Sequence, residues 1–333
     1  MNRRVLGGAG FAAVLFFLVQ VGALAMVTPF EAAGYRAVED PSDPTNSLLY
    51  LVVILVMTAF MLAAFRYDFE RAVKAVFVGS SALVSWYVFS VVVPGTLAVG
   101  GVVPVGLSLL VAAALLAYPE WYVIDAAGVV MGVGAGALFG ISFGLLPAVV
   151  LLSALAVYDA ISVYGTQHML SLAEGVMDLH IPVILVVPLS LSYSLLADDF
   201  SGASGVHDDA ETATDGDGTG RAADAAAADE PERDAFFIGL GDAVMPTVMV
   251  ASGAFFSPAP SLGVAALPAL NLPALLAMVG TFLGLSILLW AVMKGRPHAG
   301  LPLLNGGAIG GYLLGSVLAG VSLVHALGLA PYL

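Results

Sequence analysis

Of the 333 residues 60% are hydrophobic and only 10% charged, with a mean hydropathy of +1.00, which excludes a water-soluble domain and leaves the bilayer as the main solvent. The net charge of −14 is local in origin, because Asp198–Asp234 holds 12 of the 24 acidic residues against only Arg221 and Arg233. Cysteine is absent, so disulfides, thiol nucleophiles and cysteine metal sites are excluded.

Apolar runs long enough to cross a bilayer lie at about 5–27, 48–65, 75–94, 97–117, 123–141, 146–166, 235–256, 271–293 and 301–327. They predict an all-α polytopic membrane protein with nine transmembrane helices. Pro41, Pro44, Pro94-Gly95, Pro119, Pro147 and Pro297 punctuate the runs. The first run follows Arg3-Arg4 and contains Ala23-Leu24-Ala25, as a signal peptide does. Its apolar stretch exceeds the usual signal core, so it reads as a retained first span. In the fifth run Gly128, Gly132, Gly136 and Gly140 recur at every fourth position, a spacing that lets helices approach closely.

After the sixth run, Gln167–Leu179 suits a short amphipathic helix on the cytoplasmic surface. Next comes Ile181–Leu196, a largely apolar stretch of 16 residues that includes Pro182 and Pro188. Charge decides whether this segment crosses. If it does not, nine of the ten basic residues lie on the cytoplasmic side and only Arg36 lies outside; if it does, the split becomes five to five. The positive-inside rule favours the first arrangement. The N-terminus is then cytoplasmic, the C-terminus extracellular, and 181–196 is a re-entrant or surface-lying piece. The acidic stretch that follows is built of Asp, Ala, Gly, Thr and Ser and has too little apolar surface to order itself. The chain thus divides into a six-span bundle at 1–166, a cytoplasmic connector at 167–234 and three spans at 235–333.

Two carboxyl groups sit where they are expensive. Asp159 lies in the sixth span and Asp242 in the seventh, at a cost of roughly 2.5–3.5 kcal/mol each at membrane depth. The two spans run in opposite directions and share a cytoplasmic end. Each aspartate lies about seven residues from that end, or roughly 10 Å along a helix, so the two can face each other. Neither span carries Lys or Arg. Two close carboxyls in a low dielectric do not both ionise, and the pair holds one proton near neutral pH. That state suits peptide hydrolysis: the ionised member takes a proton from water and the protonated member polarises the scissile carbonyl. Gly239 and Gly241 flank Leu240 just before Asp242 and leave the backbone bare, while Tyr158 stands next to Asp159.

Tyr158-Asp159, Gly239-Leu240-Gly241-Asp242 and Pro302-Leu303-Leu304, in that order on spans six, seven and nine, resemble the presenilin/signal peptide peptidase family of intramembrane aspartyl proteases. Within it, they look most like the archaeal presenilin homologues. The resemblance implies a presenilin-like fold, Asp159 and Asp242 as catalytic residues, and Tyr158, Gly239, Leu240 and Gly241 as their support. It implies that Pro302, Leu303 and Leu304 hold an extended substrate by strand-like pairing, although the family's middle residue is Ala where this chain has Leu303. Substrates would be transmembrane segments or signal peptides in the lipid bilayer, with no cofactor, since two carboxyls and water supply the chemistry. A cytoplasmic N-terminus matches the presenilin orientation and favours substrates whose own N-terminus lies outside.

Other candidates fall away. Gly202-Ala203-Ser204-Gly205 resembles a rhomboid serine motif but lies in the acidic linker. No His-Glu-x-x-His exists, which removes the metalloprotease class. The acidic balance argues against nucleic acid. Asp125 reads as an interfacial residue and His325 as a packed or external-interface histidine. The alternative to proteolysis is a proton- or cation-coupled transporter built on the same two aspartates, but the six-plus-three division shows no internal repeat.

Overall fold

Backbone polar groups at membrane depth must find their partners within the protein, and here helices satisfy nearly all of them. The computed structural model describes residues 3–67, 69–96, 99–166, 184–190, 193–196, 235–292 and 299–332. The bundle is formed by α1 (Arg3–Ala32), α2 (Thr45–Arg66), α3 (Glu70–Val92), α4 (Val102–Ala117), α5 (Trp121–Ser142), α6 (Leu145–Ile161), α7 (Leu240–Phe256), α8 (Leu272–Val292) and α9 (Gly300–Leu318). Among the described residues this matches the nine-span expectation, with seven helices long and apolar enough to cross a membrane and α4 and α7 shorter.

Both short helices have a physical cause. The fourth run loses its start to a turn at Val99–Gly101, where Gly100 and Gly101 adopt φ of 63° and 88°, conformations that glycine alone enters freely. The seventh run loses its first five residues to a strand. Ala235–Gly239 (β2) pairs antiparallel with Ile184–Pro188 (β1), with Ile184 opposite Gly239 and Pro188 opposite Ala235. Beside its helices the protein thus has one short two-stranded sheet, and the segment at 181–196 contains a buried strand, with Leu185, Val186 and Val187 at most 1% exposed. Short apolar runs rich in Val, Ile and Phe suit a strand as well as a helix, and the two strands satisfy each other. The proposed amphipathic helix at 167–179 and the acidic loop at 198–234 lie outside the described residues.

The last span also ends early. Gly320 takes φ of 77°, with Gly320 N–H on the Val317 carbonyl and Val321 N–H on that of Ser316, a left-handed helix stop. A short helix, α10 (Leu323–Ala326), follows and carries exposed His325, whose Nδ1 meets the Ser322 hydroxyl at 2.8 Å. The Tyr312 hydroxyl ties this piece to α9 through the Ala326 carbonyl at 2.8 Å. Gly144 N–H reaches the Pro41 carbonyl, and the Tyr332 hydroxyl reaches that of Ser42. These connections gather at one end of the bundle, opposite the end of α6 that holds Asp159.

α1 runs through the core, with Phe16, Val19, Ala23, Leu24, Val27 and Phe30 all at most 1% exposed. The glycine stripe of α5 seats both α1 and α7. A Cβ on Gly132 would meet Val19 at 3.0 Å, one on Gly136 would meet Thr247 at 2.7 Å, and one on Gly140 would run into Ala251. α8 and α9 come closer still, backbone to backbone. A Cβ on Gly280 would collide with the Gly307 carbonyl oxygen, and one on Gly307 with that of Gly280. Asn271 sets the entry to this pair, accepting the Ala274 N–H at 2.9 Å as an N-cap and donating to the Gly253 carbonyl at the end of α7. Gly280→Ala should lower the thermal unfolding midpoint in detergent by the equivalent of about 1–3 kcal/mol of overpacking. Gly306→Ala, on the open face of α9, should leave it unchanged or raise it slightly.

Candidate functional site

β2 passes without a loop into α7. Gly239 is the N-cap, at φ −59° and ψ 134°, and Asp242 falls in the first helical turn. The sequence places Asp242 seven residues along a helix; in the structure it is the third helical residue, because the preceding ones are extended. Four residues on, Pro246 has no N–H to return to the Asp242 carbonyl, so the backbone at the aspartate lacks its helical bond. Gly239 adjoins the side chain: a Cβ there would lie 3.6 Å from Asp242 Oδ2.

Asp159 occupies the last turn of α6, before a wider π-helical turn at Ser162–Thr166. It is 5% exposed. Its Oδ2 accepts the Leu301 N–H at 3.0 Å. Asp242 reaches the neighbouring residue: a Cβ on Gly300 would lie 3.0 Å from its Oδ2 and 3.3 Å from its Oδ1. The two carboxyls thus converge from α6 and α7 on the Gly300–Leu301 dipeptide that opens α9. Each sits at a helix N-terminus, Asp242 in that of α7 and Asp159 against that of α9, where the helix dipole presents about half a positive charge. This offsets part of the cost of burying them.

Two further groups complete the junction. The Tyr164 hydroxyl accepts the Ala299 N–H at 3.3 Å, so Tyr164 and Asp159 together satisfy two of the orphan donors that start α9. Asn305 Nδ2 donates to the Leu152 carbonyl at 3.0 Å, joining α6 to α9 two turns above Asp159. Tyr158 is half-buried and has no hydrogen bond to either carboxyl among the described residues. Leu240 is buried and Gly241 exposed.

The Pro-Leu-Leu segment is helical. Pro302, Leu303 and Leu304 form part of the first two turns of α9, where the missing Pro302 N–H costs nothing. Leu304 is fully buried, and a Cβ on Gly284 would strike the Leu303 carbonyl. Asp125 departs from expectation: it is 4% exposed rather than interfacial, and its Oδ1 accepts the Val186 N–H at 2.7 Å. Tyr164, Gly300 and Pro246 were not singled out from the sequence. Pro246 was detectable there, standing four residues after an aspartate inside an apolar run.

A cavity of about 150 Å³ opens beside Asp242 and Gly300, bounded by Ala12 of α1, Val187 of β1, Phe236 and Ile238 of β2, and Leu288 and Val292 of α8. Space of this size holds one benzene-sized group. Its walls are apolar apart from the carboxyl at its end.

The acidic pair thus stands between helices, Asp159 buried and Asp242 half-buried, with an apolar recess at its side. Residues 13–321 match the family model described as signal-peptide peptidase, presenilin aspartyl protease, and the chain belongs to that family. Two solved structures of a presenilin family intramembrane aspartate protease, in C222 and P2 crystal forms, are similar to it. The first is 31% identical over 94% of this chain and 99% of the other, with a TM-score of 0.61. The second is 32% identical over 92% and 96%, with a TM-score of 0.58. A search of curated proteins finds no match. The protein is therefore a multi-pass membrane protein and an aspartic endopeptidase. Gly300→Val, which forces a side chain against Asp242, should cut kcat by about 100-fold, the usual penalty for misplacing a reacting group by an ångström. Steady-state cleavage of a labelled single-span peptide would measure it.

Proposed function

We propose that Asp159 and Asp242 are the catalytic pair of this protease and hydrolyse peptide bonds in transmembrane segments of other proteins. The observation that carries the reading is their convergence on Gly300–Leu301 from two antiparallel helices. With one proton shared, the ionised carboxyl removes a proton from water as its oxygen bonds to the scissile carbonyl carbon. The protonated carboxyl meanwhile donates to the carbonyl oxygen. When the tetrahedral centre collapses, the C–N bond breaks and the departing amine takes up a proton from the pair. Gly239 and Gly241 keep side chains away from the attacking water, Leu240 anchors the first turn of α7, and Tyr158 backs Asp159.

The substrate must be unwound to expose its carbonyl. β2 is already extended, borders the cavity and ends three residues before Asp242, so a strand-like substrate lies best beside it, with one apolar side chain in the cavity. The strand-like pairing expected of Pro302, Leu303 and Leu304 passes in this reading to β2. Family membership leaves the transporter alternative without support.

Asp159→Asn and Asp242→Asn should each reduce cleavage of a labelled single-span substrate by at least about 1,000-fold, as loss of an acid–base group does, while helix content and unfolding midpoint stay near wild type. Substantial cleavage by either variant would overturn the reading. The orientation follows from the basic residues, with the N-terminus cytoplasmic and the C-terminus extracellular. Because the chain has no cysteine, single substitutions report cleanly. In intact cells a membrane-impermeant maleimide should label Val264→Cys in the α7–α8 connection, and should label Ala210→Cys only after permeabilisation.

A further inference from the structure

A half-satisfied carboxyl group stands about one turn into α5, outside the pair proposed to do the chemistry. Asp125 Oδ1 accepts the Val186 N–H at 2.7 Å. Its Oδ2 is buried without a hydrogen-bond partner among the described residues. A buried acid with one bond is a costly way to fill space, and packed apolar residues would do so more cheaply. What distinguishes Asp125 is where its one bond goes.

In the sheet register Val186 stands opposite Phe237. The Val186 N–H points to Asp125 and so away from β2, which makes Val186–Phe237 a non-hydrogen-bonded pair and puts the ladder bonds at the residues on either side. Asp125 therefore satisfies the outer edge of β1, a donor that lipid cannot pair. One turn further along α5, a Cβ on Gly128 would lie 2.9 Å from Leu185 of β1 and 3.8 Å from Leu240, the first residue of α7. At the start of α5, Glu120 accepts the Ser194 hydroxyl at 2.5 Å and the Leu195 N–H at 3.0 Å, pinning the chain beyond the strand. A two-stranded ribbon is marginal without such support.

We infer that Asp125 is a positioning residue for proteolysis: by holding the Val186 N–H it fixes β1, and through β1 and β2 it sets the first turn of α7, which carries Asp242. Any slip of β2 reaches Asp242 directly, because only Leu240 and Gly241 separate them. The inference rests on Asp159 and Asp242 being the catalytic pair.

The test compares the full-length wild type with Asp125→Asn and Asp125→Ala in lipid vesicles, using one labelled single-span substrate and fragment masses as well as rates. An amide oxygen accepts the same N–H, so Asp125→Asn should stay within about 3-fold of wild-type kcat. Asp125→Ala should lose about 10- to 100-fold in kcat with little change in KM, as misplacement of a reacting group does. Its cuts should spread over neighbouring peptide bonds. Should Asp125→Ala not fold, Asp125→Leu, which fills the space without an acceptor, gives the same reading. Gly144→Ala controls for lost stability: its Cβ would meet the Pro41 carbonyl oxygen at 2.9 Å at the opposite end of the bundle, and below its unfolding temperature its cleavage position should not move. Wild-type rate and a single cut in Asp125→Ala or Asp125→Leu would overturn the inference. So would an Asp125→Asn variant as impaired as the alanine. Cleavage that persists in Asp242→Asn would instead overturn the catalytic pair, and this inference with it.

Discussion

The whole arrangement depends on the start of α9. Lipid offers no partner for a carboxylate or for the unpaired N–H groups of a helix end, and at this point the two deficits cancel. Asp159 takes the Leu301 N–H, Tyr164 takes that of Ala299, and Pro302 has none to satisfy. Asp242 comes to the same place from the first turn of α7, with only the bare Cα of Gly300 between it and the backbone. The helix end holds both acids in place, and both acids reconcile the helix end to its surroundings.

The rest of the fold serves that junction. α6 delivers Asp159 and is tied to α9 by the amide of Asn305. β2 delivers Asp242, and its extended form leaves an apolar recess beside the carboxyl that a helix would have filled. β1 lies between β2 and α5, so the glycine stripe of α5 seats α1 and α7 toward one end and the strand toward the other. A stripe that reads in sequence as plain helix packing therefore also decides where the strand sits.

The helices and the pair of acids were legible because each leaves a strong one-dimensional signal. A bilayer-length apolar run has few explanations, and a carboxyl inside one has fewer. The strands were not legible: Ile-Leu-Val-Val and Ala-Phe-Phe-Ile have no periodicity to separate strand from helix, and their pairing spans the long connector. For the same reason Asp125 looked interfacial, since the strand that buries it cannot be foreseen from its neighbours. Tyr164 and Gly300 matter only through partners more than 55 residues away in the chain. The helical start of α9 at Pro302 follows a rule that the sequence does carry: in a first helical turn proline fits without loss.

The contact between α8 and α9 has a mechanical consequence. With peptide carbonyls of one helix seated against bare α-carbons of the other, sliding either along its axis would drive oxygen into carbon within a fraction of a turn. The two helices must travel as a single plank. α2 stands at the other extreme: its outward residues from Leu48 to Phe60 are largely bare of protein, so little side-chain packing couples it to that plank.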